Sequence, residues 1–202
     1  RMRYGMLIDL NKCVGCNACT VACRNNNGTP AGVSLHKLLK YEAGVYPNAK
    51  MKFRPMPCMH CQDAPCAKVC PTGATVQRPD GIVDVDANKC IGCRSCITAC
   101  PYDSRQFIWD FGDYYEQAQP TRLEQKRRLE FQKGTVVKCT FCLTRLQQGK
   151  VTACTATCPS QCRVFGDLDD PNSEVSRAIV DKGARPFREE LETHPSVYYA
   201  GG

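Results

Sequence analysis

The residues that could do chemistry in this chain are its cysteines. Seventeen occur in 202 residues, and sixteen of them fall into four groups of four. Group I is Cys13, Cys16, Cys19 and Cys23, and group II is Cys58, Cys61, Cys66 and Cys70. Group III is Cys90, Cys93, Cys96 and Cys100, and group IV is Cys139, Cys142, Cys154 and Cys158. Disulfides between neighbours this close would shut tiny loops and stabilise little, so a disulfide scaffold gives no reason for quartets. Four thiolates gathered by short spacing hold metal instead.

The spacing also selects the metal. Zinc sites usually take two well-separated Cys pairs, and a zinc module is the alternative here. Groups I and III read C-x2-C-x2-C-x3-C, the run that holds [4Fe–4S] clusters in bacterial ferredoxins. A proline follows the last cysteine of groups II, III and IV (Pro71, Pro101, Pro159), whereas group I has Arg24 there. That proline ends the ligand loop, offers no N–H and can cover a cluster with apolar surface. Gly15 and Gly92 stand between the first two ligands of their runs, where the missing Cβ permits tight loop angles and lets backbone N–H groups face cluster sulfur.

The elements that must position these ligands repeat as well. Asn11-Lys12-Cys13-Val14-Gly15-Cys16 recurs as Asn88-Lys89-Cys90-Ile91-Gly92-Cys93. Each is preceded by a strand-like run, Met6-Leu7-Ile8-Asp9-Leu10 and Ile82-Val83-Asp84-Val85. Groups II and IV share a second pattern, C-x2-C, an insert, then C-x3-C-P. Two quartets make one two-cluster unit, so the chain holds two units. Between groups II and III, Ala74-Thr75-Val76-Gln77, the turn Arg78-Pro79-Asp80-Gly81 and the following strand read as a β-hairpin. That pairs II with III and leaves I for IV, and Arg163-Val164-Phe165-Gly166 is available to pair with the strand before group I. A sequential pairing, I with II and III with IV, is the alternative.

The expected fold class is α+β, two nested bacterial ferredoxin-like units with long connecting loops. Segments 1–50 and 134–170 form the first unit and 51–103 the inserted second. Residues 104–133 are a variable connector, and 171–202 a tail that docks on a partner. In the ferredoxin run the fourth cysteine, opening a helix, serves the other cluster of its unit. The expected sets are therefore Cys13, Cys16, Cys19 and Cys158; Cys23, Cys139, Cys142 and Cys154; Cys58, Cys61, Cys66 and Cys100; and Cys70, Cys90, Cys93 and Cys96.

With its quartet order, Cys-Pro-Thr-Gly-Ala at 70–74 and Gly-Asp-Leu-Asp-Asp-Pro at 166–171, the chain resembles the four-cluster iron–sulfur subunits of the molybdopterin oxidoreductases over 4–171. Dimethyl sulfoxide, polysulfide, thiosulfate, tetrathionate and arsenate reductases have such subunits. The resemblance implies an electron relay through four [4Fe–4S] clusters. Its partners would be a molybdenum or tungsten bis-pterin subunit near the first unit and a membrane quinone-reactive subunit near the second. Nitrate reductase relatives replace one group III ligand with Trp and hold a [3Fe–4S] centre; here Cys93 is kept. The relay would sit at the membrane through its partners, on the extracytoplasmic (periplasmic) face, with the cytoplasm as the alternative. No apolar signal region is visible in the sequence. A polyferredoxin of a formate dehydrogenase or hydrogenase, or a free carrier, is the alternative function.

Other classes fit poorly. No run approaches the ~18 apolar residues of a spanning helix. His36, His60 and His194 are scattered and no nucleophile or phosphate-loop motif occurs, so no catalytic site is expected. The net charge of +7 suggests nucleic acid until four clusters at roughly −2 each bring the total near −1. The excess is internal compensation, and a nucleic-acid partner is not expected. Cys162, the odd cysteine, reads as a buried free thiol, and His60 as a solvent-facing or hydrogen-bonded loop histidine. Lys12 and Lys89, each preceding a first ligand, are equally compatible with easing thiolate charge or lying on the surface. The segment 104–138 starts aromatic (Phe107, Trp109, Phe111, Tyr114, Tyr115) and continues as a basic helix from Thr121 to Glu130 closed by Gly134. That helix would be solvated, or face anionic lipid or an acidic subunit. The tail predicts a helix over 174–182 and an extended Tyr198-Tyr199.

Overall fold

In a computed structural model, residues 2–114 and 119–201 are described; Tyr115 of the aromatic run lies outside them. Strand β1 (Tyr4–Asp9) leads into helix α1 (Ala18–Asn27) and then the hairpin β2 (Lys37–Ala43) and β3 (Lys50–Met56). The one-turn helix α2 (Pro65–Lys68), strands β4 (Thr75–Gln77) and β5 (Val83–Val85), and the one-turn α3 (Ser95–Thr98) follow. Next come β6 (Arg105–Phe107), α4 (Arg122–Arg128) and β7 (Val136–Lys138). The one-turn helices α5 (Leu143–Leu146) and α6 (Ala153–Ala156) precede β8 (Arg163–Asp167), α7 (Glu174–Asp181), β9 (Arg185–Pro186) and β10 (Val197–Ala200). Helices and strands are mixed throughout.

The largest sheet has the order β8-β1-β10-β9. Its central strand β1 runs antiparallel to β8, with Met6 opposite Phe165, and parallel to β10, with Ile8 opposite Tyr199. Side chains alternate across a strand, and here the two faces feed different cores. Met6, Ile8, Val197 and Tyr199 point into the main core among Cys19, Cys58, Cys61, Cys66, Cys96, Cys139 and Cys154. Leu7 and Ala200 meet Val175 on the other face, beneath α7. Ser173 caps α7, its hydroxyl accepting the Ser176 N–H at 3.2 Å.

The β4–β5 hairpin forms where the sequence places it, Thr75 opposite Val85. Strand β6 pairs antiparallel with β7, Arg105 opposite Lys138, so the two ends of the connector lie side by side. Helix α1 packs on α6, and α2 on α3.

Three expectations change. The end of the tail lies on the chain itself: β10 is an interior strand of its own sheet, because Val197 and Tyr199 complete the core face beside Met6 and Ile8. The connector helix starts at a capping box, Thr121 accepting from the Glu124 N–H and Glu124 from the Thr121 N–H, but it ends at Arg128. Phe131 then packs against Val33, Leu35 and Ile108, which draws the chain off the helix before Gly134. Finally, the fourth cysteine of a group does not open a helix. Cys19, Cys66, Cys96 and Cys154, the third cysteines, lie on α1, α2, α3 and α6, while Cys70, Cys100 and Cys158 follow helices and Cys23 sits one turn further along α1. A C-x3-C spacing is about one helical turn, so one short helix presents two sulfurs at successive levels.

Candidate metal centre

The four ligand loops share one backbone device. The residue just before the second cysteine is left-handed in every group: Gly15 (φ 69°), His60 (φ 44°), Gly92 (φ 70°) and Phe141 (φ 52°). At Gly92 the glycine is needed twice over, since a Cβ there would lie 2.2 Å from the Gly134 carbonyl oxygen. At Gly15 it would meet the Phe53 ring at 2.4 Å. The turn reverses the chain so that two sulfurs of a C-x2-C pair face one side.

The loops bring the cysteines together from distant segments. Cys70, Cys90, Cys93 and Cys96 line one cavity, and Cys58, Cys61, Cys66 and Cys100 line another. Cys13, Cys16, Cys19 and Cys158 line a third, joined by Cys162. Cys139 faces Cys23, Cys142 and Cys154, and Cys23 in turn faces Cys142 and Cys154, which gathers the remaining four. The His60 ring, between Cys58 and Cys61, lies against the Phe141 ring, between Cys139 and Cys142, at 3.8 Å, so these inner two gatherings adjoin. Cys16 and Cys93 are exposed, whereas Cys23, Cys58, Cys61, Cys66, Cys139, Cys142 and Cys154 are buried.

Thiolates on a single zinc, with bonds of about 2.3 Å, stand roughly 3.8 Å apart. Among the described residues no three His, Cys, Asp or Glu side chains converge closely enough to hold one metal ion. Quartets of cysteines lining a cavity suit a polynuclear cluster whose corners each take one thiolate. Donors to sulfur are in place too. The Thr75 N–H points at Cys70 Sγ and the Ala153 N–H at Cys142 Sγ, each at 3.5 Å.

Burial pushes the Cys23 and Cys61 thiols up to about 12, with nearby cysteines adding to it, and holds Cys139 well above the ordinary thiol range. Such thiols are protonated at neutral pH, so metal binding must displace their protons. Cys70 is held down at about 7, because hydrogen bonds from the Thr75 N–H and from Thr72 outweigh the effect of burial.

His60 is wholly buried, not solvent-facing. Its Nδ1 accepts the Val83 N–H at 3.0 Å. Desolvation, then the charges of Lys138 and Arg105, hold it well below the usual imidazole range, so it is neutral. Cys162 is buried with its sulfur 3.4 Å from Cys158 Sγ. Lys12 is exposed, and Lys89 reaches Asp86 at 3.9 Å on the surface.

Two site residues escape the sequence reading, Arg105 and Arg163. Both are buried guanidinium groups facing cysteines. The available signal is a shared motif, C-P-x3-R, at Cys100 to Arg105 and again at Cys158 to Arg163.

Sequence profiles described as 4Fe–4S dicluster domains match residues 12–74, 49–116 and 113–168. A selenate reductase subunit of Mesobacillus selenatarsenatis is 42% identical over 211 residues, covering 98% of this chain and 72% of its own. The chain belongs to the 4Fe–4S dicluster iron–sulfur subunits. A putative dimethyl sulfoxide reductase iron-sulfur subunit of Halobacterium salinarum is 38% identical over 212 residues, covering 98% of this chain and 79% of its own. The arsenate respiratory reductase iron-sulfur subunit of a Shewanella species is 36% identical over 236 residues, 98% and 96% of the two chains. As a dicluster iron–sulfur subunit this chain carries iron–sulfur clusters, and its role is electron transfer within an oxidoreductase complex rather than catalysis. No helix among the described residues is long and apolar enough to cross a membrane.

Proposed function

We propose that the chain relays single electrons through four [4Fe–4S] clusters in a row. In that row Cys13, Cys16, Cys19 and Cys158 hold the first and Cys23, Cys139, Cys142 and Cys154 the second. Cys58, Cys61, Cys66 and Cys100 hold the third, and Cys70, Cys90, Cys93 and Cys96 the fourth. When bound, each cluster supplies a one-electron acceptor and donor. The chain's own residues bury the inner clusters, exclude water from them and aim N–H groups at their sulfur ligands. The observation that carries this reading is the order of the gathered thiols. The inner two sets adjoin where His60, between Cys58 and Cys61, stacks on Phe141, between Cys139 and Cys142, and the outer two each reach the surface through an exposed cysteine, Cys16 or Cys93.

The two units are nested, 51–103 inserted between 1–50 and 134–170. Support comes from the β1–β8 pairing, the β4–β5 hairpin between groups II and III, and the packing of α1 on α6. The electrons pass between a molybdopterin catalytic subunit and a quinone-linked membrane subunit, with the complex on the extracytoplasmic face. The names of the related subunits, from selenate, dimethyl sulfoxide and arsenate reductases, support a reductase as partner.

Anaerobically purified protein should be brown and hold about sixteen iron and sixteen sulfide per chain, the content of four cubanes. A colourless protein with stoichiometric zinc would overturn the reading.

A further inference from the structure

Arg105 and Arg163 occupy matching places. Each follows its Cys-Pro by the same spacing, opens the next strand (β6 or β8) and is buried. Arg105 donates from Nη2 to Cys66 Sγ at 2.8 Å and from Nη1 to Thr75 Oγ1 at 3.2 Å. It lines the cavity of Cys58, Cys61, Cys66 and Cys100 and lies within electrostatic reach of Cys96. Arg163 donates from Nη2 to His36 Nε2 at 2.8 Å and from Nη1 to Met6 Sδ at 3.4 Å. It lines the cavity of Cys13, Cys16, Cys19 and Cys158 and lies within electrostatic reach of Cys154. Each guanidinium therefore lines the cavity of one quartet and reaches electrostatically to the third cysteine of its neighbour, Cys96 for Arg105 and Cys154 for Arg163.

Among the described residues neither arginine pairs with a carboxylate. The ion pairs among the described residues engage other side chains, and Arg163 Nε is buried with no partner. A cation taken out of water needs a compensating anion, so each calls on the negative charge of the thiolate groups it faces. The dependence is mutual, because an electron added beside a fixed buried cation is stabilised in low dielectric.

We propose that Arg105 and Arg163 are paired positioning residues, each holding one positive charge between the two clusters of a unit and raising the reduction potentials of both. The proposal rests on the four-cluster reading above. It gives the buried part of the basic excess a specific role, with one charge per unit shared by neighbouring clusters.

The test is a redox titration of the holo-protein followed by electron paramagnetic resonance, with iron counted in each sample. Arg105→Gln should lower two of the four midpoint potentials by at least tenfold in the reduction equilibrium, about 59 mV for one electron, and leave the other two unchanged. Arg163→Gln should move the complementary two. Arg105→Lys and Arg163→Lys, which keep the charge but not the fork, should restore most of the shift. Iron lost in a Gln variant and retained in its Lys variant would also support the charge. Four unchanged potentials, equal shifts in all four, or equal iron loss in Gln and Lys variants would overturn the proposal. A wild-type iron count below four clusters would instead strike the four-cluster reading, and it is seen before any variant is made.

Discussion

The His60 imidazole lies face to face with the Phe141 ring, centroids 3.8 Å apart and planes 26° from parallel. The two residues hold the same position in groups II and IV, just before the second cysteine, where groups I and III have glycine. Both carry a left-handed backbone that costs about 1–3 kcal/mol in a residue with a Cβ. The cost is offset because each side chain fills the junction between the inner gatherings of thiols. Phe141 also meets Phe165 edge-on at 5.2 Å, which ties the junction to β8.

Truncating that junction should be costly. Phe141→Ala removes a buried ring and should destabilise the holo-protein by about 3–5 kcal/mol. Leu129→Ala, at a side chain 85% exposed, should stay within about 0.5 kcal/mol. Melting temperatures measured anaerobically separate the two, and equal values would contradict the packing described.

Cys162→Ser should leave the iron content unchanged, while Cys93→Ser should lose or convert one cluster. Serine offers a hard oxygen where iron–sulfur centres take thiolate. Cys162 lies beside Cys158 rather than in its place. Iron lost from Cys162→Ser would make the seventeenth cysteine a ligand.

Gly92 and Gly134 give a paired test of the ligand loop, since both have φ near the left-handed region, +70° and +76°. A Cβ at Gly134 meets nothing within 4 Å, whereas one at Gly92 strikes the Gly134 carbonyl at 2.2 Å. Gly134→Ala should cost about 1 kcal/mol through its backbone alone. Gly92→Ala should cost more and lower the iron content, read by iron analysis alongside melting.

His36 should make stability depend on pH. Burial and then the Arg163 charge hold its imidazole well below the ordinary value of 6.5, so the folded chain keeps it neutral while the unfolded chain protonates it below that pH. The unfolded state then binds more protons, and stability falls as pH drops below about 6.5, by up to about 1.4 kcal/mol per unit. The melting temperature should therefore drop more steeply between pH 7.5 and 5.5 in the wild type than in His36→Gln. Parallel curves would show that His36 does not carry the effect.

Parts of the fold are legible in the sequence because they are local. The hairpin between groups II and III announces itself by a Pro-Asp-Gly turn between alternating runs. The strand before group I needs only its apolar run, and its antiparallel partner is the Arg163 run that follows group IV. The place of the tail is not legible, because two adjacent tyrosines do not say which sheet they join. Tyr199 enters the core only once β1 stands beside it, donating its hydroxyl hydrogen to the Pro55 carbonyl at 2.8 Å. The burial of His60 is hidden for a similar reason, since the Phe141 that covers it is 81 residues away by the numbering.

The donor chemistry, the grouping of sixteen thiols and the kinship of groups I with III and II with IV are written in the order of residues along the chain. Ligand loops are short, and cysteine spacing within one turn of chain carries that information directly. What surrounds the sulfurs comes from folding: the stacked His60 and Phe141, and the arginines lining the cysteine cavities. Those depend on long-range neutralisation. Arg105 meets Cys66 across 39 residues and Arg163 meets His36 across 127. A buried cation is tolerable only where folding delivers charge and hydrogen-bond acceptors from elsewhere in the chain.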